Sequence, residues 1–145
     1  MPLDDVIPDI LSSTQVIALV GWSPNPLRPS HRVAQFLTAH GYRVIPVNPG
    51  HAGTKVHGET VRASLSEIDD PVDMVDIFRR SELVLPVVEE ALAHLPKLRT
   101  VWMQLGVENA EAAELAEGRG VQVIQDRCPA IEIPRLRIRT PAGGY

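Results

Sequence analysis

Five short apolar runs, separated by stretches of helical periodicity, constrain this chain more than any other feature. The clearest is Val16-Ile17-Ala18-Leu19-Val20, a continuous run that stops at Gly21, as a strand buried on both faces of a parallel sheet would read. Arg43–Val47 and residues 72–78, 100–104 and 121–124 supply the other four. Between the first two, Val33, Phe36, Leu37 and His40 recur at i, i+3, i+4 and i+7, opened by Pro29-Ser30 and closed by Gly41. That spacing predicts an amphipathic helix with Ser30 as N-cap and Gly41 just past its end. Val84, Val87, Val88, Ala91, Leu92 and Leu95 predict a second helix with Ser81 as its cap. Ala112, Leu115 and Ala116 predict a third that starts near Asn109, and residues 65–68 a short helical turn.

Strands that alternate with helices imply an α/β fold, a three-layer sandwich whose mainly parallel sheet carries helices on both faces. Counting the five runs in chain order, the expected strand order is 3-2-1-4-5. Pro46 has no N–H for a ladder and marks either the end of its strand or a sheet edge. Residues 1–15 read as a helical lead-in, 16–137 as one domain, and 138–145, with Pro141 and two glycines but no periodicity, as a flexible tail. A length of 145 residues suits a single hydrophobic core.

A net charge of -4 argues against broad neutralisation of nucleic-acid phosphates. The one cysteine, Cys128, permits no internal disulfide, and no apolar run is long enough to span a bilayer. The expectation is a cytoplasmic protein that uses neither nucleic acid nor membrane.

In an open parallel sheet, ligands bind beyond the carboxyl ends of the strands, near the point where strand order reverses. After the first run, Gly21-Trp22-Ser23-Pro24-Asn25-Pro26-Leu27-Arg28-Pro29-Ser30-His31-Arg32 brings Arg28 and Arg32 to a helix N-terminus, an anion site by charge and by free N–H groups. Phe78-Arg79-Arg80-Ser81 places two more cations after the third run, and Lys55 follows the second. Cations repeated after strand ends suggest a ligand carrying several separated phosphates.

Only Gly21 remains of a GxGxxG fingerprint, no acid closes the second run, and no GxxxxGK[ST] loop is present, so ordinary NAD binding and P-loop hydrolysis lose weight. His40, His51, His57 and His94 lack metal-ligand spacing, and no metal site is expected. Two readings of Trp22 stand side by side, stacking on a flat heterocycle or covering the sheet edge. His31 either bonds a phosphate or is an exposed helix residue. Asp73 and Asp76 read as loop caps rather than a catalytic pair. Cys128 reads as a small buried thiol, with a nucleophile as the sharper alternative.

Together, Ile17-Ala18-Leu19-Val20-Gly21, Arg28-Pro29-Ser30, the stretch Gly41-Tyr42-Arg43-Val44-Ile45-Pro46-Val47-Asn48-Pro49, Val72-Asp73-Met74-Val75-Asp76-Ile77-Phe78-Arg79, Trp102-Met103-Gln104-Leu105-Gly106 and Asp126-Arg127-Cys128-Pro129 resemble the small CoA-binding-domain proteins. That family is similar in fold to the N-terminal CoA-binding domain of the succinyl-CoA synthetase alpha subunit. The resemblance implies a Rossmann-like domain that binds coenzyme A or an acyl-CoA at the carboxyl edge of its sheet. It implies ligand contacts from Gly21, Ser23 and Ser30 in the first loop, Asn48 and Pro49 in the second, and Phe78, Arg79 and Arg80 in the third. Trp22 departs from the small residue usual at its position. With Trp22, Arg28, Pro29, His31 and Lys55 from the physical reading, these make up the expected ligand site. The phosphorylated histidine of the synthetase lies in another domain, so the resemblance implies binding without ligase chemistry and names no catalytic residue. An acyl- or thiol-transfer enzyme using Cys128, and a binder of another phosphorylated nucleotide such as NADP, are the alternatives, and a homodimer is compatible with all of them.

Overall fold

In the computed structural model, which describes residues 2–145, the five runs form one parallel sheet: β1 (Val16–Val20), β2 (Arg43–Val47), β5 (Met74–Ile77), β6 (Thr100–Met103) and β7 (Gln122–Ile124). A two-stranded hairpin, β3 (Lys55–Val56) and β4 (Glu59–Thr60), lies between the second and third of them. Alternation along each strand divides the core in two. Ala18, Val20, Val75 and Ile77 face α3 (Val84–His94) and α4 (Ala110–Gly118). Ile17, Leu19, Met74 and Trp102 face α1 (Leu3–Ser13), α2 (Pro29–Ala39) and α5 (Pro129–Arg135). Ala91, Ala112 and Ala116 are fully buried, small enough to let α3 and α4 approach each other and the sheet closely. The three-layer α/β sandwich is therefore the one the sequence predicts.

The strand order differs. It runs β2-β1-β5-β6-β7, or 2-1-3-4-5 in the count used above, rather than 3-2-1-4-5. Pro46 supplies the physical reason. Its carbonyl faces away from β1 and accepts from the Arg62 N–H at 2.9 Å, while the Asn48 N–H donates to the Arg62 carbonyl at 2.9 Å. With no N–H at Pro46, the outer side of β2 holds a short bridge at Arg62 in place of a full strand. The third run then pairs with the other side of β1, Ile17 to Met74 through Val20 to Ile77. The reversal of strand order consequently falls between β1 and β5, and a ligand crevice is expected there.

Two predicted caps also differ. Ser30 lies inside α2 and is buried; Arg28 holds the N-cap position without a side-chain cap, and Pro29 takes the first turn. Ser81 opens a 3-10 turn ahead of α3, and its hydroxyl accepts from the Glu108 N–H at 3.0 Å, tying two loops together instead of capping a helix. Asn109 does cap α4, its Oδ1 accepting from the Ala112 N–H at 2.9 Å. Where periodicity predicted only a tail, Ile138 and Thr140 are buried and the Ala142 N–H donates to the His40 carbonyl at 3.0 Å.

At the strand reversal the two diverging chains touch. Gly21 has φ of +91°, and a Cβ built on it would stand 2.5 Å from the Phe78 carbonyl oxygen. Gly53 has the same φ of +91° with nothing within 4 Å of such a Cβ. Gly53→Ala is therefore expected to cost about 1 kcal/mol for the left-handed backbone alone. Gly21→Ala adds a clash against backbone and is expected to cost roughly 3 kcal/mol or more. Equal losses for the two variants in chemical denaturation would refute the close-approach argument.

Candidate functional site

The first loop is organised by its own short polar side chains. Ser23 Oγ accepts from the Asn25 N–H at 3.1 Å and Asn25 Oδ1 from the Leu27 N–H at 3.0 Å, which delivers Arg28 to the start of α2. The first turn of α2 contains no acid, whereas α1 carries Asp4 and Asp5 there and α4 carries Glu111. Arg28 and Arg32 stand in their place, beside the positive end of the helix dipole. Cations at that end are unfavourable on their own, and an anion seated among them reverses the sign.

The second loop is knitted to the first. Asn48 Nδ2 donates to the Trp22 carbonyl at 2.6 Å, and Asn48 Oδ1 accepts from the Gly50 N–H at 2.8 Å. Both polar groups of Asn48 are thus spent inside the protein. The third loop brings Phe78, Arg79 and Arg80 to the same rim, the Phe78 N–H donating to the Val20 carbonyl at 2.8 Å. Arg80 is largely exposed and lies 3.6 Å from Glu82, while Arg79 has no ion-pair partner among the described residues.

These loops enclose a cavity of about 740 Å³ at the strand reversal. Ten of the expected site residues line it: Gly21, Trp22, Ser23, Arg28, Pro29, Ser30, Asn48, Phe78, Arg79 and Arg80. Arg32 joins them, making four arginines against no acid. Pro49 lines an adjoining cavity of about 390 Å³, which shares Gly21, Asn48, Phe78 and Arg79 with the larger one. Two expected residues line neither. Lys55 is carried off on the β3–β4 hairpin, its Nζ donating to Thr60 Oγ1 at 3.0 Å. His31 braces the loop from behind, with Nδ1 3.0 Å from the Ser23 carbonyl and its ring stacked on Trp22 at 6.0 Å between centroids.

Trp22 is only 2% exposed and packs in the core on the α2 side, with His51 edge-on at 6.4 Å. Burial fits the covering reading of this ring better than an open stacking platform. Its Nε1 is buried without a hydrogen-bond partner among the described residues. Sequence reasoning missed the far wall, formed by Gln104, Leu105 and Val107 beyond β6 and by Ile131 in α5. The same rule that points to loops after β1 and β5 points to the loop after β6. Cys128 also lines the cavity and is buried.

The paired acids separate into different roles. Asp73 does cap a strand start, its carboxylate accepting from the Val16 N–H at 3.0 Å. Asp76 caps nothing: it is fully buried within β5, on the same sheet face as Met74, and burial pushes its carboxyl well above the usual range. Its companion is the Gln104 side-chain amide, which reaches within 3.0 and 3.1 Å of the two carboxyl oxygens. Among the described residues no cluster of His, Cys, Asp and Glu has the geometry of a metal centre, and no helix is long and apolar enough to cross a membrane.

A parallel sheet flanked by helices, with an arginine-lined crevice where its strand order reverses, places the chain in the Rossmann-like class of α/β domains. More narrowly, it belongs to the CoA binding domain family, which matches residues 15–134. The chain is 40% identical over 122 residues to the protein YneT of Bacillus subtilis (strain 168), covering 84% of this chain and 87% of that protein. A hypothetical protein from Pyrococcus horikoshii OT3 superposes with a TM-score of 0.85 at 36% identity, covering 93% of this chain and 92% of the other. The structure of cell-free ID.343 from Thermus thermophilus gives 0.86 at 36% identity, covering 93% and 99%.

The raised carboxyl of Asp76 has a consequence for stability. Above the ordinary carboxyl range near pH 4, the unfolded chain releases this proton while the fold retains it, so the native state loses stability as pH rises toward the elevated value. Asp76→Asn removes the titration. The stability of this variant relative to wild type is expected to improve as pH rises from about 4 in chemical denaturation, and a pH-independent difference would contradict the assignment.

Proposed function

We propose that the protein binds coenzyme A, or an acyl-CoA, along the carboxyl edge of the sheet as a non-catalytic module. The observation that carries this reading is the cavity itself, where four arginines and no acid surround the uncapped start of α2. Of the four, Arg28, Arg32 and Arg79 have no ion-pair partner among the described residues, whereas Arg43 pairs with Glu59 and Asp70, and Arg135 with Asp4 and Glu132. Unpaired guanidinium groups at a helix N-terminus suit phosphates. Coenzyme A carries a pyrophosphate and a separate 3′-phosphate, joined to a flexible arm that an apolar wall of Leu105, Val107 and Ile131 suits. In this reading Arg28 and the α2 N-terminus hold the pyrophosphate, and Arg79, which borders both cavities, serves the adenosine end with Arg80. Lys55 has no part in it.

Arg79→Glu is expected to weaken coenzyme A binding at least about tenfold in calorimetry, through loss of a charge-assisted contact and introduction of repulsion. Unchanged affinity would remove Arg79 from the site. Competition with NADP separates coenzyme A from another phosphorylated nucleotide. Cys128 on the cavity wall keeps a transfer enzyme as the second reading. A catalytic thiolate would label rapidly at neutral pH and be protected by coenzyme A, whereas a buried structural thiol labels slowly.

A further inference from the structure

The adjoining cavity of about 390 Å³ differs in character from the arginine-lined one. Its apolar wall, Val20, Val47, Leu65 and Val87, belongs to the core on the α3 side. Arg79 is its one cation, and Glu90 of α3 is the only acid among the described residues that line either cavity. A phosphate is a poor occupant beside that carboxylate. The other polar side chains of the wall are engaged: Asn48 within the loops, and Ser64 Oγ with Ser66 Oγ at 2.7 Å. Glu90 Oε1 accepts from the Leu65 N–H at 3.1 Å, which fixes the side chain, while Oε2 has no hydrogen-bond or ion-pair partner among the described residues. Apolar walls, one anchored carboxylate with an oxygen to spare and a guanidinium that can stack suit a flat, uncharged ring bearing an N–H donor.

We infer that this cavity takes the purine base of the ligand and that Glu90 is a specificity-determining residue, its Oε2 accepting from the exocyclic 6-amino group. The inference rests on the coenzyme A reading and adds to it the choice of base. Adenine presents a donor at C6, whereas a 6-oxopurine presents an acceptor there that the carboxylate repels. Arg79, on the wall of both cavities, then stands where phosphate and base meet.

Calorimetry with two probes tests it: coenzyme A and its deamino analogue, in which hypoxanthine replaces adenine. Wild type is expected to prefer coenzyme A by roughly tenfold or more, as a hydrogen bond to a charged acceptor implies. Glu90→Gln keeps an oxygen for the Leu65 N–H and turns an amide donor toward the base. This variant is expected to bind coenzyme A about tenfold more weakly and the deamino analogue as tightly as wild type does, or more tightly. A residue that merely held α3 against Leu65 would not exchange one preference for the other. 3′-Phosphoadenosine 5′-diphosphate, which lacks the pantetheine arm, should lose affinity in Glu90→Gln as coenzyme A does; insensitivity would assign Glu90 to the arm and overturn the base assignment. Equal losses for coenzyme A and its analogue, or none, overturn the role of Glu90 while leaving the binding reading intact. If Glu90→Gln fails to fold by circular dichroism, wild type decides: a preference for coenzyme A supports the inference and equal affinities overturn it. Wild type that binds neither probe defeats the binding reading itself, and this inference with it.

Discussion

A single missing hydrogen-bond donor organises the molecule. Because Pro46 gives nothing to a neighbour on the outer side of β2, that side ends in the short bridge at Arg62, and the chain returns to the opposite flank of β1. The loops that leave β1 and β5 then turn to opposite faces of the sheet. Their separation opens the cavity, and the contact between Gly21 and the Phe78 carbonyl is its narrow base.

Charge is distributed unevenly around that opening. The chain as a whole is acidic, with 18 Asp and Glu against 14 Lys and Arg, yet the cavity wall carries no acid. Pairing accounts for part of the contrast, since Asp4, Glu59, Asp70 and Glu132 are engaged with arginines far along the chain or near α5. The remaining positive field is local, and a low-dielectric wall of Leu105, Val107 and Ile131 next to it strengthens its effect on an anion.

Much of this was legible in residues 16–137. Period and run length gave the layers; Gly21, Phe78 and Arg79 announced a loop cluster because they follow closely on strand ends, and Arg28 because it opens the helix after β1. The strand order was not legible by pattern alone, although Pro46 already spoke against placing its strand between two others. Ser30 misled because a serine after proline resembles a cap, while the true N-cap is the preceding Arg28. Lys55 misled because a hairpin of two-residue strands leaves no periodicity to read. Gln104, Leu105 and Val107 follow directly on β6 but carry no charge to mark them as part of a ligand loop. The helix α5, only seven residues long and with Pro134 inside it, gives too weak a pattern to identify from sequence.

The two tryptophans differ in a way that reaches beyond packing. Trp102 is fully buried, and its Nε1 donates to the Arg127 carbonyl at 2.8 Å, so its surroundings are fixed by the protein. Trp22 borders the cavity, with an indole nitrogen that has no partner among the described residues. The chain therefore contains its own optical gauge: one fluorophore stands at the cavity wall, and the other provides an internal standard.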